Sequence, residues 1–158
     1  MKDINTRLLA PCGLYCGVCG VYIATRDSNT PFLERLLNVY KSTIPGIDRT
    51  TVDDLWCDGC LAERKSMFCR YCKIRDCTTA HSYEGCHRCD TFPCEHIDNF
   101  PMPVGKKVIL RTIPYWKEHG TEKFVRDEES RYTCPQCGNA LFRGAKRCNT
   151  CKTPVELD

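Results

Sequence analysis

The sequence has no long apolar run. Nowhere does it approach the ~20 apolar residues that a membrane-spanning helix needs, so no membrane association is expected. It opens Met1-Lys2-Asp3-Ile4-Asn5 without an apolar stretch, so no secretory leader is expected and the chain is read as cytoplasmic and reduced. The short patterns that announce much of catalysis are missing too. There is no H-E-x-x-H helix, no glycine-rich phosphate loop ending in Lys-Ser/Thr, no G-x-S-x-G elbow and no H-x-E with P-C-x-x-C of zinc deaminases. No catalytic residue is therefore assigned. Charge of one sign is also lacking: 23 basic against 20 acidic side chains leave +3, too little to point to a partner. A local basic excess, Lys106, Lys107, Arg111, Lys117, Lys123 and Arg126 against Glu118 and Glu122, reads as a solvated helix face before it reads as a nucleic-acid surface.

What the chain does have is cysteine, 15 in 158 residues. The count is odd, so disulfides alone would leave a free thiol. Many other apolar residues are scattered among glycines, prolines and charges, which suggests a fold held by cross-links more than by a large buried layer. In a reduced setting those cross-links are metal–thiolate bonds.

The clearest pattern lies near the C-terminal end. Cys134-Pro135-Gln136-Cys137 is followed, ten residues on, by Cys148-Asn149-Thr150-Cys151. Each C-x2-C turn can present two thiolates to one metal, and two such knuckles complete a tetrahedral site. The segment from Asn139 to Arg147 has room for a short hairpin, so residues 132–158 are read as a compact zinc ribbon. A rubredoxin-like iron site uses similar knuckles, and zinc is preferred. Arg143, Lys146, Arg147 and Lys152 would give the ribbon a positive edge, with Phe142 as a stacking surface.

Eleven cysteines remain upstream, and all are read as metal ligands. Four C-x2-C pairs are visible, Cys16/Cys19, Cys57/Cys60, Cys69/Cys72 and Cys86/Cys89, with Cys12, Cys77 and Cys94 close by. Cys69-x2-Cys72-x4-Cys77 recurs seventeen residues later as Cys86-x2-Cys89-x4-Cys94, two similar turns supplying equivalent ligands. Eleven thiolates make two complete tetrahedral sites with three left over, or three sites if His81, His87 or His96 joins. Spacing does not say which pairs share a metal. Three or four zinc ions are expected in all, with an iron–sulfur cluster in the N-terminal block as the alternative. Cys12-x3-Cys16-x2-Cys19 has the spacing of radical S-adenosylmethionine enzymes, but the series of strands and helices that builds their barrel is absent. The ferredoxin run C-x2-C-x2-C-x3-C-P is also absent.

Helices are expected between the cysteine blocks. Thr30 can cap one, with Pro31 at its first position and Phe32, Leu33, Leu36, Leu37 and Tyr40 at helical spacing before Pro45-Gly46. Thr51–Leu55 suits a short helical turn. Residues 104–131 read as helical, with Val104, Val108, Ile109 and Ile113 on one stripe. Pro114 is expected to break or restart that helix, and Gly120-Thr121 to end one segment and cap the next.

The ordered motifs Cys12-Gly13-Leu14-Tyr15-Cys16-Gly17-Val18-Cys19, Cys57-Asp58-Gly59-Cys60, Cys72-Lys73-Ile74-Arg75-Asp76-Cys77 and Cys86-His87-Arg88-Cys89-Asp90-Thr91-Phe92-Pro93-Cys94-Glu95 resemble a cysteine-rich domain-of-unknown-function family, number 3795, of bacteria and archaea. The resemblance covers about residues 8–100, and the helical segment and ribbon resemble an extension carried by longer members. At His81-Ser82-Tyr83-Glu84-Gly85 the chain departs from the Lys-Gly expected before the next cysteine pair. The resemblance implies an intracellular, prokaryotic, metal-binding protein and no particular activity.

The sequence thus predicts a small metal-stabilised α+β protein. An irregular cysteine-rich N-terminal domain with short helices spans 1–100, a helical connector spans 101–131, and a zinc ribbon spans 132–158. The expected role is a non-catalytic binding or adaptor module with structural zinc, whose partner is a protein or, second, nucleic acid. The alternatives are an iron–sulfur redox or sensor protein and an enzyme with a partly open three-cysteine site. A free thiolate at Cys12, Cys77 or Cys94 could serve as nucleophile in the last case, although Glu95 and Tyr15 nearby form no recognisable triad.

Overall fold

A computed structural model describes residues 3–158 and shows a mostly helical protein. Its helices are α1 (Gly20–Arg26), α2 (Thr30–Thr43), α3 (Met67–Arg70), α4 (Lys73–Ala80), α5 (Glu95–Asp98), α6 (Pro103–His119) and α7 (Thr121–Arg131). Tight 3-10 turns at Thr6–Leu8, Cys16–Val18, Val52–Asp54 and Cys86–Arg88 punctuate the loops. The expected α+β fold is met in part, with helix at 49% and strand at 4%. Among the described residues β-pairing is confined to isolated bridges, Leu9 with Tyr15, Thr133 with Ala140 and Arg147 with Pro154. In the ribbon each bridge closes around one knuckle, Thr133 with Ala140 about Cys134–Cys137 and Arg147 with Pro154 about Cys148–Cys151, and a single pair falls short of the several that a strand ladder needs.

Helix α2 forms where its apolar spacing places it, burying Phe32, Leu33 and Leu37. Its cap is one residue earlier than expected. The Asn29 side chain accepts from the Phe32 amide at 3.0 Å, so Thr30 becomes the first helical residue and Pro31 sits in the first turn. The turn at Val52–Asp54 carries a reciprocal cap, in which Asp54 Oδ2 accepts from the Thr51 amide at 3.0 Å. The sequence reading did not place α1, whose buried Val21, Ala24 and Thr25 lie three and four residues apart directly after Cys19.

Pro114 does not break α6, which runs unbroken to His119. Proline removes one amide donor, here the one that would have reached Leu110, and both residues lie on the exposed face where water can serve that carbonyl. On the opposite face, Gly105, Val108, Ile109, Thr112, Ile113 and Trp116 form the buried stripe, and Val104 falls outside it at 41% exposure. Gly120, at φ +79°, ends α6, and its carbonyl accepts from the Phe124 amide to start α7. Thr121 serves a different purpose from the expected cap: its hydroxyl accepts from the Trp116 indole at 3.0 Å and donates to Glu84.

Two apolar clusters hold the elements together. The first joins Leu8, Tyr15, Ile109, Trp116, Phe124 and Tyr132. The second joins α1 and α2 with Leu55 and Cys57. The buried layer is therefore larger than composition suggested. Fully enclosed Trp116, Tyr132, Phe124, Leu33 and Leu55 each bring on the order of 1.5–3 kcal/mol of transfer free energy. Loops approach α6 very closely. A Cβ on Gly85 would lie 2.5 Å from the Trp116 ring, and one on Gly13, at φ +87°, 2.7 Å from Thr112 Oγ1.

The ribbon is seated on both clusters. Leu141, Cys134 and Cys148 belong to the first, and Phe142 packs edge-on to Phe32 of the second at 5.1 Å between centroids. The Arg143 amide donates to Val18 O at 2.7 Å and its guanidinium to Tyr15 O at 2.9 Å. Behind it, Arg111 bridges Glu128 and Asp158, the latter at 2.9 Å, while the Tyr132 hydroxyl donates to the same Asp158 carboxylate.

Candidate metal centre

The ribbon's two knuckles are built alike. Cys134 N–H donates to Asn139 O at 2.8 Å and Cys148 N–H to Thr153 O at 2.9 Å, each closing a loop of six residues. In both, the fourth residue after the first cysteine donates back to that cysteine's carbonyl from a left-handed conformation, Gly138 at φ +72° and Lys152 at φ +63°. This shared geometry turns the paired thiols inward. Cys134 Sγ lies 3.6 Å from Cys151 Sγ, Cys137 Sγ lies 3.6 Å from Cys148 Sγ, and all four sulfurs are within 4.8 Å of one another. One ion at 2.3 Å from four sulfurs at tetrahedral corners needs edges of ~3.8 Å, so the group matches a single metal.

The four sulfurs cannot all carry charge without a cation among them. The Thr153 hydroxyl, 3.2 Å away and able to donate to a thiolate, helps hold the Cys151 thiol down to about 6. The Asn139 amide also favours a thiolate at Cys137, yet desolvation and the neighbouring thiols push that group up to about 12. A divalent metal held by Cys134, Cys137, Cys148 and Cys151 would supply the missing positive charge and favour all four as thiolates. Cys134 and Cys148 are buried whereas Cys137 and Cys151 are exposed, so the metal would sit at the surface with its inner face against the core.

The upstream thiols are arranged differently. Among the described residues the ribbon forms the one group of three or more ligand atoms within 4.8 Å of each other; no three of the eleven upstream cysteine sulfurs meet that spacing. They are neighbours nonetheless. Burial pushes the Cys12 thiol far up, and the charges of Cys60, Cys72 and Cys86 add to that rise. Cys16 is raised by burial and by Cys19, Cys60 and Cys12. Burial and then Cys19 and Cys57 push Cys69 up to about 12, and burial with Cys94, Cys89 and Cys77 does the same to Cys86. Backbone amides point at two of these sulfurs, Gly59 at Cys57 Sγ (3.4 Å) and Cys60 at Cys16 Sγ (3.3 Å).

Sequence reasoning missed Arg75. Its guanidinium donates to Cys69 O at 2.8 Å and Arg70 O at 3.0 Å, and Nη1 lies 3.7 Å from Cys60 Sγ. Only its position, two residues before Cys77 on α4, hinted at such a role. Of the candidate histidines, His81 directs Nδ1 to Cys77 O at 2.8 Å and stands 3.8 Å from Cys77 Sγ. His87 stacks on Trp116 at 3.7 Å, and burial depresses its pKa. His96 is half-buried beside Cys94.

The basic surfaces are largely spoken for. Lys106, Arg111, Lys117, Lys123 and Arg126 each face a carboxylate within 4.0 Å. Arg143 and Phe142, expected on the ribbon's outer edge, turn inward onto the N-terminal block, while Lys146, Arg147 and Lys152 remain exposed. No helix among the described residues is long and apolar enough to cross a membrane.

No curated protein and no solved structure matches this chain. Residues 8–99, the span containing every upstream cysteine, match the family described as "Protein of unknown function (DUF3795)", and the chain belongs to that family.

Proposed function

We propose that this chain is a non-catalytic, cytoplasmic binding or adaptor module whose ribbon carries one structural zinc ion. The observation that carries the reading is the closed set of four cysteine sulfurs at single-ion spacing, with no histidine, carboxylate or open corner among them. Four thiolates make an electron-rich, saturated site, a poor Lewis acid that serves to hold chain segments together. The ribbon's seat on both apolar clusters fits this structural purpose. The partner is read as a protein, because most of the basic side chains that would attract nucleic acid already face carboxylates. A second reading, an iron–sulfur redox or sensor protein, draws on the eleven upstream thiols, no three of which close to 4.8 Å of one another.

The test is zinc content of the full chain and of Cys137→Ser, which removes an exposed ligand. About one zinc ion per chain should be lost in the variant. An unchanged zinc content would sink the ribbon assignment. Strong chelation should loosen the ribbon, read as a rise in amide exchange over 132–158.

A further inference from the structure

We infer that a small cavity beside the Thr6–Leu8 turn binds the C-terminal end of a partner protein, a free carboxylate carried by an aliphatic last residue. The inference rests on the reading of this chain as an adaptor and names the chemistry of its partner.

The cavity, of about 290 Å³, lies where the Thr6–Leu8 turn, helix α1 and the loop after Cys57 meet. Asn5, Arg7, Leu8, Tyr22, Asp58 and Leu61 line it. Backbone bonds fix its walls: the Leu8 amide donates to Asn5 O at 3.1 Å, and the Asp58 amide to Arg64 O at 3.0 Å. Asn5 Oδ1 accepts from the Arg7 amide at 3.1 Å, which leaves Asn5 Nδ2 free to donate. Charge singles the cavity out. Arg64 occupies both oxygens of Asp58, each at 2.8 Å. The Arg7 guanidinium faces no carboxylate, and the Tyr22 hydroxyl has no hydrogen-bond partner, among the described residues. Guanidinium, phenol and amide can all donate to one carboxylate. In the broader depression at His119–Asp127 the cations are already satisfied, Lys123 by Asp127 at 2.7 Å and Arg126 by Glu122 at 2.9 Å.

The remaining lining is apolar. Leu8 is buried in the first cluster, whereas Leu61 is 51% exposed, a large aliphatic side chain that a ligand would cover. Size decides how the two demands combine. Sites for drug-sized molecules span roughly 300–1,000 Å³, so a cavity at the lower edge of that range has room for about one residue. The carboxylate and the aliphatic group must then belong to the same residue. In a polypeptide the C-terminal residue meets that condition, with its α-carboxylate beside a Leu, Ile or Val side chain. An internal acidic residue brings the charge without the branched aliphatic group, and an internal leucine the reverse.

The experiment titrates the full chain with an acetylated tripeptide ending in leucine, followed by backbone amide chemical shifts. The free-carboxylate peptide should give saturable shifts centred on residues 5–8, 22 and 58–62. Its C-terminal amide should bind about tenfold more weakly, the loss expected for a charge-assisted hydrogen bond. Arg7→Gln changes an exposed side chain and should remove that difference. Leu61→Asn should weaken the free-carboxylate peptide yet keep its advantage over the amide. Equal binding of peptide and amide, or no shifts at these residues, would overturn the inference, and so would an Arg7→Gln chain that keeps the preference. N-acetyl-leucine tests a second source of the same chemistry: binding as tight as the tripeptide's would assign the cavity to a small molecule and overturn partner docking. Zinc content and peptide binding are read separately, so failure of the ribbon assignment and failure of this inference remain distinguishable.

Discussion

The ribbon and the N-terminal block use the same local device to different ends. In both, the amide two residues after the first cysteine of a knuckle points at its sulfur, Thr150 at Cys148 Sγ and Gly59 at Cys57 Sγ, each at 3.4 Å. In the ribbon the two members of each knuckle then face one point, and eighteen consecutive residues hold a complete site. In the block, the members of two pairs turn toward different apolar clusters, and each neighbourhood of thiols draws on distant parts of the chain. A knuckle thus sets where its sulfurs can point, and the surrounding packing selects which of them meet.

The sharpest way to break this comparison is to remove one thiol from each region. Cys60→Ser should unfold much of residues 12–94, a loss on the order of 5 kcal/mol or more against structural-metal binding energies of about 10–16 kcal/mol. Cys137→Ser should raise amide exchange across 132–158 only. Equal and local effects from both substitutions would mean that the block is as self-contained as the ribbon.

Next in size is Trp116→Ala. The indole is 1% exposed, stacked between His87 and Phe124, and its loss should cost about 3–5 kcal/mol in denaturant unfolding. Because Trp116 touches Gly85 directly before Cys86, the deficit should appear in the block before the ribbon.

Asp158→Asn tests the charged joint behind the ribbon, with an expected loss of about 2–4 kcal/mol. Burial disfavours the Asp158 carboxylate, but the Tyr132 hydroxyl and the Arg111 and Arg131 guanidinia outweigh it and hold the carboxyl well below the usual range. The folded state therefore binds the proton more weakly than the unfolded state, whose aspartate titrates near 3.9. The stabilisation is complete above roughly pH 4–5 and fades as pH falls toward the folded value. Wild type and Asp158→Asn should differ most near neutrality and converge in acid. A gap that stays constant down to pH 2 would contradict this assignment.

The smallest effect concerns the ribbon's two halves. Gly138→Ala places a side chain at positive φ and should cost roughly 1 kcal/mol, though nothing lies near enough to clash. Lys152→Gly at the equivalent position should leave stability within about 1 kcal/mol of wild type. Thermal unfolding of the two variants would show whether the knuckles are interchangeable.

Much of this was legible in the residues, and each miss has a physical cause. The ribbon ligands and α2 follow from short-range spacing, which constrains the backbone directly. Asn29 stands where Thr30 was expected as the cap because either side chain can satisfy the first-turn amides, a choice that spacing alone leaves open. Pro114 kept its helix because its missing amide falls on the solvent face, a fact that depends on where the core lies. Arg143 and Phe142 looked like surface groups until the ribbon was seated on Val18 and Phe32. Arg75 became visible as a thiol donor only when α4 was packed beside Cys60.

By itself the sequence determined that thiols dominate the chemistry, that the last four cysteines can share one metal, and where the longer helices run. These are consequences of spacing within a few turns of chain, which short backbone segments obey whatever surrounds them. The tertiary structure decided which apolar cluster Cys16 and Cys60, as against Cys19 and Cys57, pack upon, which histidines turn to other work, and which basic groups reach solvent. Those outcomes depend on contacts between segments tens of residues apart, where burial and packing choose among pairings that spacing leaves equal.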